Sequence, residues 1–325
     1  MNKTTPFVDR TPYLDYARVF TMFLVVWGHL YNGDKAIPHH YIYSFHMPLF
    51  FVISGMLHKY SGSVAWKKYI RTLLVPFVVF NLLYGLFLVS MTFDIHKLTF
   101  DGGGFFEAYK SEMVRKHFLA DGPTWFLLSL FYCKIWTDYA KRYPLLFVIW
   151  FVCFVFLSNL TFLYDTYFPQ AIMAMPFFTL GFYCKKKIND FAQSKYSVWF
   201  GLVFLILTLV ITTLHGRVSM KGVYFGSSSL PYAIDVMIFY LNGLVGSLMV
   251  LFFSSVFRKR QIVEDVAKSL ITILCVQIGF IFVILKTIGF NASMYVTIIL
   301  ALIIVVLCYL IHKLLIKYCP FIIGK

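Results

Sequence analysis

Apolar residues gather along the chain in blocks of roughly twenty, the length that spans a bilayer as a helix, and short polar segments separate them. Ten such blocks are legible, at about 14–32, 41–58, 70–92, 123–138, 144–163, 169–184, 197–214, 231–257, 269–287 and 292–316. None alternates with the period of two that a half-buried strand requires. The pattern therefore predicts an all-α polytopic membrane protein, about ten transmembrane helices in one bundle, with residues 1–325 forming a single transmembrane domain. The longest polar segment, 93–122, carries mixed charge and a Gly102-Gly103-Gly104 point. It is expected outside the membrane as a loop. The first block lacks a small-residue cleavage site and reads as a retained span rather than a signal peptide.

Charge distribution orients the spans. With a cytoplasmic N-terminus, 19 lysines and arginines fall on inward segments, 8 on outward ones, and Arg18 and Lys134 lie within spans. The asymmetry follows the positive-inside rule and puts both termini in the cytoplasm. Composition agrees: 60% hydrophobic, 13% charged, with mean hydropathy +0.77. A soluble domain carries about 25% charged residues. The net charge of +15 is spent on loop topology, so nucleic acid is not an expected partner. Six scattered cysteines, Cys133, Cys153, Cys184, Cys275, Cys308 and Cys319, have no metal or redox spacing and read as small apolar packing residues.

Polar residues inside the apolar blocks carry the candidate chemistry. In the first span, LDYARVFTMFLVVWGHLYN, Arg18 and His29 are eleven residues apart. Three turns and a small remainder put them on one face, about 16 Å apart along the axis. Asp15 is three residues before Arg18, within reach of an ion pair. In the second span, SFHMPLFFVISG, His46 falls at the depth of His29 on an adjacent antiparallel helix, and Ser54-Gly55 reads as a close packing point. The third begins WKKYIRTLLVPF, where Lys67, Lys68 and Arg71 either grip phosphate or simply flank the span, and Pro76 is expected to kink the helix.

These stretches together resemble the acyltransferase-3 family of bacterial membrane acyltransferases. The likeness rests on LDYAR followed by VVWGH, with ten residues between Arg18 and His29, then FHMPLFFVISG, then Lys68-x-x-Arg71 leading to LLVPF, then GPTWFLLSLF at 122–131 and PFFTLGFYCKK at 176–186. It implies a ten-helix enzyme moving an acyl group, commonly acetyl, from cytosolic acetyl-CoA to sugars of surface glycans. It maps the family's histidine and arginine onto His29 and Arg18, and its basic pair onto Lys68 and Arg71. A lysine where arginine is common loses the planar fork for bidentate phosphate binding. A late family motif, Ser-Leu-x-x-Tyr-x-x-His, is not kept: SLITILCVQ has neither the tyrosine nor the histidine, so no catalytic role is carried there.

The resemblance implies CoA phosphates near Lys67, Lys68 and Arg71, and Arg18 contacting phosphate or pantetheine. His29 would act as general base or as an acyl-imidazole relay, two routes that stay open. His46 would orient His29 or polarise the carbonyl, and Trp125 offers either a sugar platform or aromatic packing. The expected partners are acetyl-CoA, a glycan or lipid-linked sugar acceptor and membrane lipids, with no metal. A transporter or flippase with Arg18 and His29 along its pathway is the competing class, and a scaffold with merely packed polar residues is the third. CoA binding discriminates between them.

Overall fold

The computed structural model describes residues 11–31, 37–92, 123–157, 167–215, 232–288 and 293–325. In chain order the helices are α1 (Pro12–Leu30), α2 (Ile37–Leu57) and α3 (Trp66–Tyr69), which continues through a π turn at Ile70–Leu74 into α4 (Val75–Thr92). Then come α5 (Trp125–Arg142), α6 (Leu146–Leu157), α7 (Phe168–Ala192), α8 (Ser197–His215), α9 (Tyr232–Ser254), α10 (Gln261–Lys268), α11 (Leu270–Ile288) and α12 (Met294–Tyr318). A 3₁₀ turn at Pro320–Ile323 closes the chain, and no strand occurs among the described residues. Helix occupies most of each expected apolar block. Among the described residues, five stretches are long and apolar enough to cross a membrane: Trp66–Phe87, Ser197–His215, Ile234–Ser254, Leu270–Thr287 and Met294–Tyr318. The 93–122 loop lies outside the described residues.

Several departures from the expected elements have local causes. Pro76, which lacks an N–H, follows a widened turn in which Val75 N–H bonds to Ile70 O, five residues back. Pro176 cannot donate to Ile172 O, and the indole Nε1 of Trp150 on α6 takes that carbonyl at 3.3 Å. At 25 residues α7 outruns its apolar block and carries Lys185, Lys186 and Lys187 on its last turns. The short helix α10 was not foreseen.

The packing is that of a protein whose solvent is lipid. On α12 the buried positions are Thr297, Ala301, Ile304, Cys308 and His312, while Ile299, Leu302, Val306, Leu310 and Leu314 face outward. On α8, Gly201, Thr208 and Thr212 are buried, whereas Leu214 is 82% exposed. Small and polar residues turned inward with large apolar ones outward fit a bilayer. The tightest helix pair is α2 with α7. A Cβ on Gly55 would lie 2.0 Å from Phe178 O, and one on Gly181 would lie 2.0 Å from Val52 O. The Ser54-Gly55 packing point is thus reciprocal, each backbone resting on the other's glycine.

Contacts between helices order the two ends. Tyr13 bonds to Asn189, Tyr16 Oη donates to Arg258 O at 2.8 Å, His58 meets Asp138 and Thr272 meets His312. A Cβ on Gly324 would sit 2.5 Å from Arg71 O. These pairs gather at one end the basic segments at 59–71, 141–142, 185–187, 258–260 and 313–325. The opposite end is marked by Trp27 Nε1 donating to Thr297 Oγ1 at 3.1 Å and by the meeting of His29 with Tyr43.

Candidate active site

One face of α1 organises the site. Arg18, Met22, Val25 and His29 follow one another at spacings of four, three and four, so they form a single stripe. Two cavities open along it, one at each end.

The inner cavity measures about 330 Å³. Its wall is mainly apolar, with Met22, Phe50, Ile53, Leu130 and Leu274 among its residues, and Ser54 also borders it. Three cations line it: Arg18, Lys68 and Lys134. Arg18 is held from two sides, with Nη1 3.3 Å from Asp15 Oδ1 and Nη2 donating to Ala267 O at 3.2 Å. That carbonyl comes from α10, which packs on α1 at the basic end. Lys134 rises from α5, with its Nζ 5.5 Å from the centre of the Tyr69 ring.

Lys68 stands on α3, and a buried knot fixes α3 to α5. Asp138 binds His58 Nε2 through one carboxylate oxygen at 2.8 Å and accepts from Tyr69 Oη through the other at 2.6 Å. Thr72 Oγ1 donates back to Lys68 O at 2.8 Å and borders the cavity as well. Lys67 and Arg71 are exposed at the same end but do not line the cavity.

The outer cavity, about 250 Å³, is bounded by Gly28 and His29 of α1, Tyr43 of α2, Tyr84 of α4 and four residues of α11 from Ile278 to Leu285. His29 Nδ1 lies 3.3 Å from Tyr43 Oη. Tyr43 is the hub of three histidines: its ring stacks on His39 at 4.1 Å, meets His46 edge-on at 4.8 Å and His29 edge-on at 6.2 Å. His46 Nδ1 is 2.8 Å from Ile42 O. A carbonyl only accepts, so that nitrogen carries the proton. His46 is buried and shares Tyr43 with His29 as a neighbour. Trp125 is buried too, its ring centre 6.4 Å from that of Tyr167, and borders neither cavity.

A family model described as an acyltransferase domain matches residues 11–313. The chain belongs to the acyltransferase-3 family. No curated protein and no solved structure matches it. The match makes the chain a membrane acyltransferase and takes in both cavities. The sequence singled out Arg18, Asp15, Lys68, Ser54 and His29 as candidates, and the fold sets all five on or beside the two cavities. The fold adds neighbours that the sequence did not single out: Tyr43, His39, the Ala267 carbonyl and Lys134. Lys134 did leave a signal, being one of two basic residues inside an apolar block. No group of three or more His, Cys, Asp or Glu able to hold a metal ion occurs among the described residues.

Proposed function

We propose that this acyltransferase moves an acetyl group from cytosolic acetyl-CoA to a sugar hydroxyl of a surface or exported glycan. In this reading it works in a bacterial plasma membrane, which it crosses ten times with both termini in the cytoplasm. The observation that carries the reading is the pair of cavities on one stripe of α1, cationic at the basic end and histidine-bearing at the other. The phosphates of CoA suit Arg18, Lys68 and Lys134, because charge-assisted hydrogen bonds to phosphate are strong and geometrically tolerant of lysine. Lys67 and Arg71, exposed beside the mouth, add attraction at longer range. The mainly apolar wall suits the pantetheine arm and its thioester. The acceptor, free or lipid-linked, reaches His29 from the outer side.

The chemistry asks one thing of His29: an unprotonated Nε2 facing the acceptor. Nδ1 must then carry the proton and donate it to Tyr43 Oη, which is the tautomer their contact permits. Nε2 takes the proton of the sugar hydroxyl as its oxygen attacks the thioester carbon. The carbon–sulfur bond breaks, the thiolate leaves, and the imidazolium returns the proton to sulfur. The products are an acetyl ester and free CoA, with nothing oxidised or reduced.

The test is binding and transfer in one preparation. Purified protein in lipid nanodiscs should bind acetyl-CoA saturably, release it to excess CoA, and pass labelled acetyl to a sugar acceptor. A flippase would move glycan without binding acetyl-CoA, and that result would overturn the proposal.

A further inference from the structure

Between the residues that line the two cavities lies a buried polar side chain whose amide oxygen has no hydrogen-bond partner among the described residues. On α11 the lining residues form a stripe: Leu270 and Leu274 border the inner cavity, Ile281 and Leu285 the outer. Gln277 lies on that stripe, three residues after Leu274 and four before Ile281, so it is about one turn from each cavity. It is 0% exposed. Its Nε2 reaches Leu274 O only at 3.5 Å, and its Oε1 has no hydrogen-bond partner among the described residues. The α1 stripe at this depth presents Val25, buried and apolar, which supplies no donor.

A buried amide oxygen without a donor is costly, and an apolar residue of the same size would avoid the cost. A glutamine makes physical sense there when something that reaches it brings the missing N–H. The donor assigned above has to pass this point, because the cations lie on one side of Gln277 and His29 on the other. Its pantetheine arm carries two secondary amides, and each N–H needs an acceptor once it leaves water.

We propose that Gln277 is a donor-binding residue whose Oε1 accepts a hydrogen bond from an amide N–H of the pantetheine arm as the arm passes between the cavities. The inference rests on the acyl-CoA reading. It divides recognition of the donor in two: Arg18, Lys68 and Lys134 read the phosphates, and Gln277 reads the arm.

The two halves can be measured apart. Binding of acetyl-CoA and of 3′-phosphoadenosine 5′-diphosphate, which is the nucleotide of CoA without the arm, is compared in wild type, Gln277→Leu and Gln277→Met, all in nanodiscs. The variants should bind acetyl-CoA about 3- to 10-fold more weakly, the worth of one neutral hydrogen bond. They should bind the nucleotide as wild type does, with a thermal midpoint unchanged or raised. Equal weakening of both ligands, or no weakening of acetyl-CoA, overturns the role of Gln277. Wild-type protein that binds neither ligand overturns the acyl-CoA reading itself, and the proposal with it.

Discussion

Replacing Tyr43 with phenylalanine removes one hydroxyl and keeps the ring that stacks on His39 and meets His46. What is lost is the 3.3 Å contact to His29 Nδ1. At that length the bond is a weak neutral one, worth about 0.5–1 kcal/mol. Part of its effect is to favour the His29 tautomer whose Nε2 lacks a proton. Turnover should therefore fall about 2- to 5-fold. The inner cavity does not include Tyr43, so KM for acetyl-CoA should hold steady. The assay is steady-state acetyl transfer per mole of folded enzyme in nanodiscs, with acetyl-CoA varied and thermal unfolding followed in parallel. An unchanged kcat would refute the orienting role. A fall of a thousandfold or more would refute it in the other direction, since so large a loss would make the Tyr43 hydroxyl itself a proton donor or acceptor in the reaction.

Other outcomes follow from the same geometry. Lys134→Met should weaken acetyl-CoA binding about 10- to 100-fold, the worth of a charge-assisted hydrogen bond, and by more than Lys67→Met does; equal effects in a titration would remove Lys134 from the donor site. Gly181→Ala should lower the thermal midpoint sharply, because its Cβ would meet the Val52 carbonyl at 2.0 Å and backbone cannot yield cheaply; overpacking costs about 1–3 kcal/mol or more. Asp138→Ala leaves His58 and Tyr69 without their shared acceptor, and a loss of at least about 2 kcal/mol is expected from unfolding in detergent. Reporters fused after Lys187 and Arg260 should read cytoplasmic and one near Arg217 outside, and the reverse pattern would invert the orientation.

The helices were legible in the sequence because lipid demands long apolar stretches, and the α1 stripe because helical periodicity alone puts Arg18 and His29 on one face. Gly55 was legible as a packing point, although its partner Gly181 was not, since nothing local tells α2 that it will cross α7. The site was harder to read wherever it depends on side chains meeting across helices. Tyr43 looked like one more aromatic in a chain that is 20% aromatic, and only the docking of α2 on α1 puts its hydroxyl against His29. Lys67, Lys68 and Arg71 form one cluster in sequence, yet only Lys68 lines the inner cavity, because the α3 turn and the knot at Asp138 set which side faces inward. Gln277 reads in sequence as one polar residue in an apolar block, and its place between two cavities emerges only from the packing of α11 on α1.

The most direct test of the central claim replaces His29 by glutamine, which keeps a hydrogen-bonding side chain but cannot take the acceptor's proton. In nanodisc-reconstituted His29→Gln, acetyl-CoA binding should stay within about twofold of wild type, while acetyl transfer to the sugar falls at least about 100-fold. Transfer at a near-wild-type rate, from protein that still folds and binds, would contradict the assignment of His29 as the base.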